Sequence, residues 1–195
     1  MTAAAIRRTT GRLLVVTGLA TLSWSGFVWA RADYDQTARA KALPAIGNVG
    51  IPDRGRTLGL LEVPRLGLST VVVEGDDAFS LLVGAGHLPE TPLPWFDGNS
   101  VLAGHRDTDF RPLKGIREGD VIRFRTRDIA IEYVVRETLI VEPTDVGVLR
   151  ATERPTLTLI TCYPFTYIGP APKRFVVRAE RITGVLSARS VAPDP

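Results

Sequence analysis

Beyond Thr57, apolar residues gather in short runs broken by glycine, proline and aspartate, and over 119–126 and 129–143 they alternate with polar residues at a period of two. That pattern predicts strands. "TLGLLEV" (57–63) and "STVVVE" (69–74) are two such runs, separated by "PRLGL". "NSVLAG" (99–104) is an apolar run after an Asp-Gly turn. "GDVIRFRT" (119–126) and "IAIEYVVRETLIVEP" (129–143) flank an Arg-Asp pair, which predicts a tight hairpin. "TLTLITC" (156–162) and "KRFVVRAERI" (173–182) supply a last pair. "DDAFSLLVG" (76–84) predicts one short helix opened by an aspartate cap, and "FRPLKGI" an irregular or single-turn segment. Many short strands with almost no long helix argue for a mostly β fold, a small closed barrel or a sandwich.

The N-terminus follows a different pattern. "LLVVTGLATLSWSGFVWA", residues 13–30, runs without a charge. At about 1.5 Å per residue it just spans a hydrocarbon core of roughly 30 Å. Trp24 and Trp29 lie toward its far end, and Arg7, Arg8 and Arg12 precede it. The positive-inside rule then predicts a cytoplasmic N-terminus and an extracytoplasmic remainder. The rival reading is a cleaved signal peptide, with Ala30-Arg31-Ala32 as a loose small-x-small site. The length of the run and the interfacial tryptophans favour a retained anchor.

The expected organisation is a basic N-terminus (1–12), a transmembrane anchor (13–30), and a juxtamembrane helix with a Pro/Gly-rich linker (31–56). A single domain (57–183) and a loose tail (184–195) complete it. Outside the first 30 residues, acidic and basic side chains balance, so the basic pI belongs to the N-terminus. No nucleic-acid-binding face is indicated.

An exported domain sits where disulfides form, and Cys162 is the only cysteine. An intramolecular staple is therefore excluded. A buried apolar thiol, an intermolecular bridge and a reactive thiol stay open. One cysteine and two histidines lack the close ligand spacings of common zinc sites, and no calcium loop is recognisable, so neither metal nor cofactor is expected. A working thiol needs a base or cation to supply thiolate, and acyl transfer needs a donor for the developing oxyanion. Each histidine ends an Ala-Gly-His triplet. His105 is the better base, because it closes a clear apolar strand and precedes the polar cluster "RDTDF". Arg174 shares a strand face with Arg178 and Glu180. It opens the strand across a loop from Cys162, so pairing of the two strands would bring a guanidinium near the thiol.

"TLITCYPF", with Thr-Leu-x-Thr-Cys at Thr158 to Cys162, strongly resembles the active-site strand of sortases, the cysteine transpeptidases of bacterial surfaces. "NSVLAGHRDTDFRPL" resembles their histidine segment and "APKRFVV" their arginine strand. "CYPF…APKRF" looks most like class D sortases, with the sortases of Gram-negative bacteria second. The resemblance covers residues 57–183 and implies a closed eight-stranded sortase-type β-barrel with short helices behind one transmembrane helix. It implies Cys162 as the nucleophile on the threonine of an LPxT-type signal, and His105 as the acid and base. Arg174 would hold substrate or oxyanion, with Thr161 as oxyanion support through its backbone or hydroxyl.

Asp107 is a candidate to orient His105, against a turn-capping or salt-bridging role. Tyr163 and Phe165 are candidates for the substrate groove or for packing at the rim. Trp95, in the bulky "PLPWFDGN" turn, is placed near the site entrance. Leu88-Pro89-Glu90-Thr91 itself spells LPxT but is internal, and no self-processing is expected. The implied partners are surface-protein or pilin precursors, an amine acceptor in peptidoglycan or a protein, and membrane lipid around the anchor. A cell-wall L,D-transpeptidase is the rival enzyme, although its cysteine typically follows Ser-x-Gly. A non-enzymatic anchored assembly module with a buried Cys162 is the rival outside enzymology.

Overall fold

The computed structural model describes residues 3–46, 52–182 and 186–187. Part of the expected linker (47–51), the last residue of the expected domain (183) and most of the expected tail (184–185 and 188–195) lie outside the described residues. Helix α1 runs unbroken over Ala3–Lys41, so the apolar run and the stretch after it form one rod. The strands follow: β1 (Thr57–Val63), β2 (Leu68–Glu74), β3 (Ala85–His87) and β4 (Asn99–Ala103). Then come β5 (Val121–Arg125), β6 (Ile129–Val141), β7 (Thr156–Tyr163), β8 (Lys173–Arg181) and β9 (Leu186–Ser187). The one short helix, α2 (Ala78–Val83), is capped as the sequence predicts: Asp77 accepts from the N–H groups of Phe79 and Ser80.

Hydrogen bonding orders the strands β5-β1-β2-β3-β4-β7-β8-β6, and β5 pairs again with β6, which closes an eight-stranded barrel. The closure removes free sheet edges. β9, which falls within the expected tail, is a strand that pairs with Ile129 and Ala130 of β6. β1 turns into β2 through a 3₁₀ turn at Pro64–Leu66, and Gly67 closes it at φ +62°, a conformation open to glycine. β2 and β3 are parallel, with α2 as crossover. β4 and β7 are also parallel, with Ala103 opposite Ile160. The long β5–β6 hairpin and the β6–β7 connection lie between them in the chain.

The interior takes every second residue of each strand. Leu61, Leu102, Phe110, Phe124, Tyr133 and Leu159 are all essentially inaccessible. Each such burial contributes roughly 1.5–3 kcal/mol relative to exposure. Tyr133 is the polar exception in this core; its hydroxyl donates to Pro94 O, and burial pushes its phenol pKa up. Asp120, also buried, accepts from the Arg65 guanidinium, which holds its carboxyl below the usual range. This ion pair ties the β1–β2 turn to the start of β5.

These directions define two ends of the barrel. One end holds the start of β2, the end of β4, the end of β7 and the start of β8. The other holds the start of β1, the end of β2 and the end of β8.

Candidate active site

Cys162 lies near the end of β7 and is paired in register with Arg174 near the start of β8. Residues directly opposite on antiparallel strands share a sheet face, with Cβ atoms about 4.5–5.5 Å apart. On the other flank of β7, His105 stands two residues past the Ala103–Ile160 pair, as does Cys162. Alternation assigns Cys162 and Arg174 to one face of β7 and β8, and His105 lies beside this edge, two residues past the end of β4. That face is the outer one, since Leu157 and Leu159, at odd positions of β7, belong to the barrel core. Cys162 and Arg174 are half-buried and His105 is exposed.

Two contacts lock this edge. Gly104 N–H donates to Ile160 O at 3.1 Å, and the Thr161 hydroxyl donates to Gly104 O at 2.7 Å. Gly104 is needed there because an added Cβ would lie 2.7 Å from the Phe110 ring. Phe110 in turn donates its N–H to His105 O, closing the turn that carries the histidine. Since a hydroxyl has one proton, Thr161 Oγ1 is committed to Gly104 and is not a free oxyanion donor. The hydroxyl form of that expectation is corrected to a clamp between β7 and β4.

Arg174 turns one arm of its guanidinium toward the loop, with Nη1 donating to Lys173 O at 3.1 Å and Ala171 O at 3.4 Å. Asp107 lies 3.6 Å from Arg106 Nε and makes no hydrogen bond to His105, so it sits in an ion pair. Tyr163, Phe165 and Phe175 form an aromatic cluster, with Phe165 and Phe175 centroids 5.3 Å apart in an edge arrangement. Phe165 and Phe175 pack against the core, so the cluster seals the rim beside Cys162.

Trp95 is elsewhere. It packs on Phe124, and its loop is pinned by Tyr133 and by Arg181, which donates to Pro94 O. Arg181 is seven residues along β8 from Arg174, about 23 Å at strand rise. The expectation of Trp95 at the site entrance is thereby overturned: its loop precedes β4, whereas His105 follows it. The internal Leu-Pro-Glu-Thr belongs to the same far loop. Thr91 Oγ1 donates to Leu88 O and accepts from Val101 N–H, so this segment is a structural turn. His87 is buried, with Nδ1 2.8 Å from Glu74 Oε2 and Nε2 3.1 Å from Pro92 O.

Two parts of the site carried no sequence signal. The β6–β7 connection folds over the outer face: Asn99 Nδ2 donates to Val148 O and Arg150 O, each at 3.0 Å. Val148 of this connection is buried, as are Val101 and Val176 on the strands beneath, so the connection covers apolar residues on the outer face. The second is Arg106. Its side chain is 9% exposed, and its guanidinium donates to Pro164 O (3.0 Å), Tyr167 O (2.6 Å) and Gly169 O (3.3 Å). A buried guanidinium is tolerable only when its donors are satisfied. Here they are satisfied by the loop between Cys162 and Arg174.

Arg106→Ala is expected to free that loop. Amide hydrogen exchange over residues 165–172 should rise at least about tenfold, with a stability loss of about 2–4 kcal/mol from the broken charge-assisted bonds. Unchanged exchange there would show that something else holds the loop.

The geometry is that of a nucleophilic acyl-transfer centre: a thiol, an imidazole and a guanidinium on one edge of the barrel. A family model described as the sortase domain matches residues 61–182. Sortase D of Bacillus subtilis is 38% identical over 133 residues, covering 68% of this chain and 67% of that one. Sortase A of Listeria monocytogenes is 29% identical over 155 residues, covering 77% and 68%. Among solved structures, the SrtA sortase of Actinomyces oris superposes with a TM-score of 0.66 at 27% identity, covering 80% of this chain and 94% of that one. The sortase D5 transpeptidase of Clostridium perfringens superposes with a TM-score of 0.61 at 28% identity, covering 67% and 82%.

Proposed function

The chain belongs to the sortase family of cysteine transpeptidases, and from that premise we propose that it cleaves an LPxT-type signal after threonine and transfers the acyl part to an amine. The observation that carries this reading is the register: Cys162 stands opposite Arg174 on one side and level with His105 on the other.

The thiolate of Cys162 attacks the threonine carbonyl carbon, and a C–S bond forms as charge moves to oxygen. The Arg174 guanidinium receives that charge. His105 then gives a proton to the departing nitrogen as the C–N bond breaks, leaving a thioacyl enzyme. An amine attacks this thioester, His105 takes the amine's proton, and the C–S electron pair returns to Cys162.

Helix α1 supports a location at the membrane. Leu13, Leu19, Leu22, Phe27 and Trp29 are all exposed, although the helix is long and apolar enough to cross a bilayer. With Arg7, Arg8 and Arg12 before the span, the N-terminus is inside and the barrel outside. Enzyme, precursor and acceptor then meet at one surface.

The test is product mass spectrometry with a library of LPxTx peptides and added primary amines. Cleavage between threonine and the next residue is expected, with the amine joined to threonine. Cleavage at another bond, or none across the library, would remove the assignment of the signal.

A further inference from the structure

Helix α1 touches the barrel at successive levels, and their order gives the direction of the helix. Val28 and Trp29, in the last turn of the apolar run, line one cleft with Leu68, at the start of β2, and with His105. Farther on, Gln36 Nε2 donates to Asp109 Oδ1 at 2.6 Å and to Thr70 Oγ1 at 3.2 Å. About one turn later, Arg39 Nη1 donates to Gly55 O at 3.0 Å and to Thr57 Oγ1 at 3.2 Å, at the start of β1. Past the helix, Pro44 O accepts from Arg127 N–H in the β5–β6 turn. The contacts climb from the barrel end that carries Cys162, His105 and Arg174 to the opposite end. The helix therefore runs beside β2 in the same sense, and its apolar N-terminal half projects beyond the site end.

The spacing along the helix sets a depth. Ala30 closes the uncharged run, and the six residues from there to Gln36 rise about 9 Å. The headgroup layer on each side of a hydrocarbon core of roughly 30 Å is about 5–7 Å thick. The turn that carries His105 shares a cleft with Trp29 and a hydrogen bond with Gln36, so it lies within this layer or just above it. The ties at Gln36, Arg39 and Pro44 hold the barrel at that height.

The site end also carries an apolar side chain that the fold leaves uncovered. Ile168, in the loop between β7 and β8, is 98% exposed, and Tyr167 beside it is exposed as well. The loop does not tuck them in, because the buried Arg106 guanidinium holds the carbonyls of Tyr167 and Gly169, on either side of Ile168. An isoleucine held out in this way is unfavourable in water and favourable against lipid, and a tyrosine suits the layer where the two meet.

We propose that the end of the barrel carrying Cys162, His105 and Arg174 rests on the headgroup layer of the phospholipid bilayer, with helix α1 as one support and Ile168 and Tyr167 as a second. This rests on the reading of α1 as a membrane span. The opposite posture, with the site turned away from the membrane, would require the contacts of α1 to climb the barrel in the reverse order. A signal then meets the thiol at the level of the headgroups, and the internal Leu-Pro-Glu-Thr turn stands at the end farthest from the bilayer.

The test uses the full chain in phosphatidylcholine nanodiscs, with three single-cysteine variants made on a Cys162→Ala background and labelled with a small fluorophore. Ile168→Cys reports the site end, Glu90→Cys the loop after β3 at the opposite end, and Trp24→Cys the span; all three positions are exposed. Emission is compared with and without nitroxide-bearing lipid. The ends are about 25 Å apart by the length of β7, so headgroup nitroxide should remove at least about half of the Ile168 emission and less than about a tenth of the Glu90 emission. Acyl-chain nitroxide should remove at least about half of the Trp24 emission, the span lying in the core. With Trp24 quenched, an Ile168 loss below about half, or a Glu90 loss equal to it or larger, overturns the posture and leaves the anchor standing. A Trp24 label that acyl-chain nitroxide does not quench overturns both.

Discussion

Cys162→Ala reduces turnover of an LPxT-type peptide to background, an expected loss of roughly 10⁴-fold or more. The size follows from the chemistry: the thioacyl intermediate has no other thiol to form on, since the chain holds one cysteine. The nearest hydroxyl in sequence, that of Thr161, is a poor substitute. It lies on the opposite sheet face by alternation and already donates to Gly104 O. The substitution should spare the fold, because Cys162 is half-buried at the barrel rim and losing Sγ opens no enclosed cavity. An unchanged thermal midpoint with lost turnover would assign the defect to chemistry. The same thiol gives a second readout: a small alkylating reagent should add one adduct to the folded wild type and none to the variant. Persistent turnover in Cys162→Ala would sink the nucleophile assignment, and a thiol closed to alkylation in the folded chain would favour a non-enzymatic module.

Strands buried on one face were the readable part of this sequence. β5, the first half of β6 and β8 alternate because one side meets the core and the other is more open, and that contrast writes itself at period two, whereas β1 and β2 were legible as short Leu- and Val-rich runs between turn residues. β3 escaped notice because Ala85-Gly86-His87 has no such contrast. All three residues are buried, held between β2 and β4. The same cause leaves β4 and β7 with apolar or hydroxyl residues on both faces, since the β6–β7 connection covers the outer side. Spacing could not reveal that β4 lies parallel to β7, because more than fifty residues separate them; the resemblance to sortases supplied what periodicity lacked. Arg106 was unreadable for a different reason. Its partners are backbone carbonyls, which any residue provides, so nothing in the loop sequence marks the contact. Trp95 shows the converse hazard: a bulky residue next to the histidine strand in sequence lies at the strand's other end in space.

Arg174→Lys tests whether charge or geometry matters at the oxyanion. Arg174 already spends Nη1 on Lys173 O and Ala171 O, and these bonds fix the guanidinium plane against the loop that Arg106 holds from below. The other N–H groups of the fork then remain for substrate, at a position set by the Cys162–Arg174 register. Lysine retains the positive charge, but its three donors radiate from one nitrogen on a flexible stem. It cannot grip the loop carbonyls and present a fixed donor to the oxyanion at once. The expected loss is about 10²–10³-fold in kcat/KM, the scale for removing one preorganised oxyanion donor. Most of it should fall on kcat, because the interaction strengthens as charge develops on the carbonyl oxygen and is weak in the ground state. A loss confined to KM would instead make Arg174 a ground-state clamp on the signal. Near-wild-type rates would move the oxyanion role away from Arg174, and the backbone N–H groups around Cys162 would be the donors left to examine.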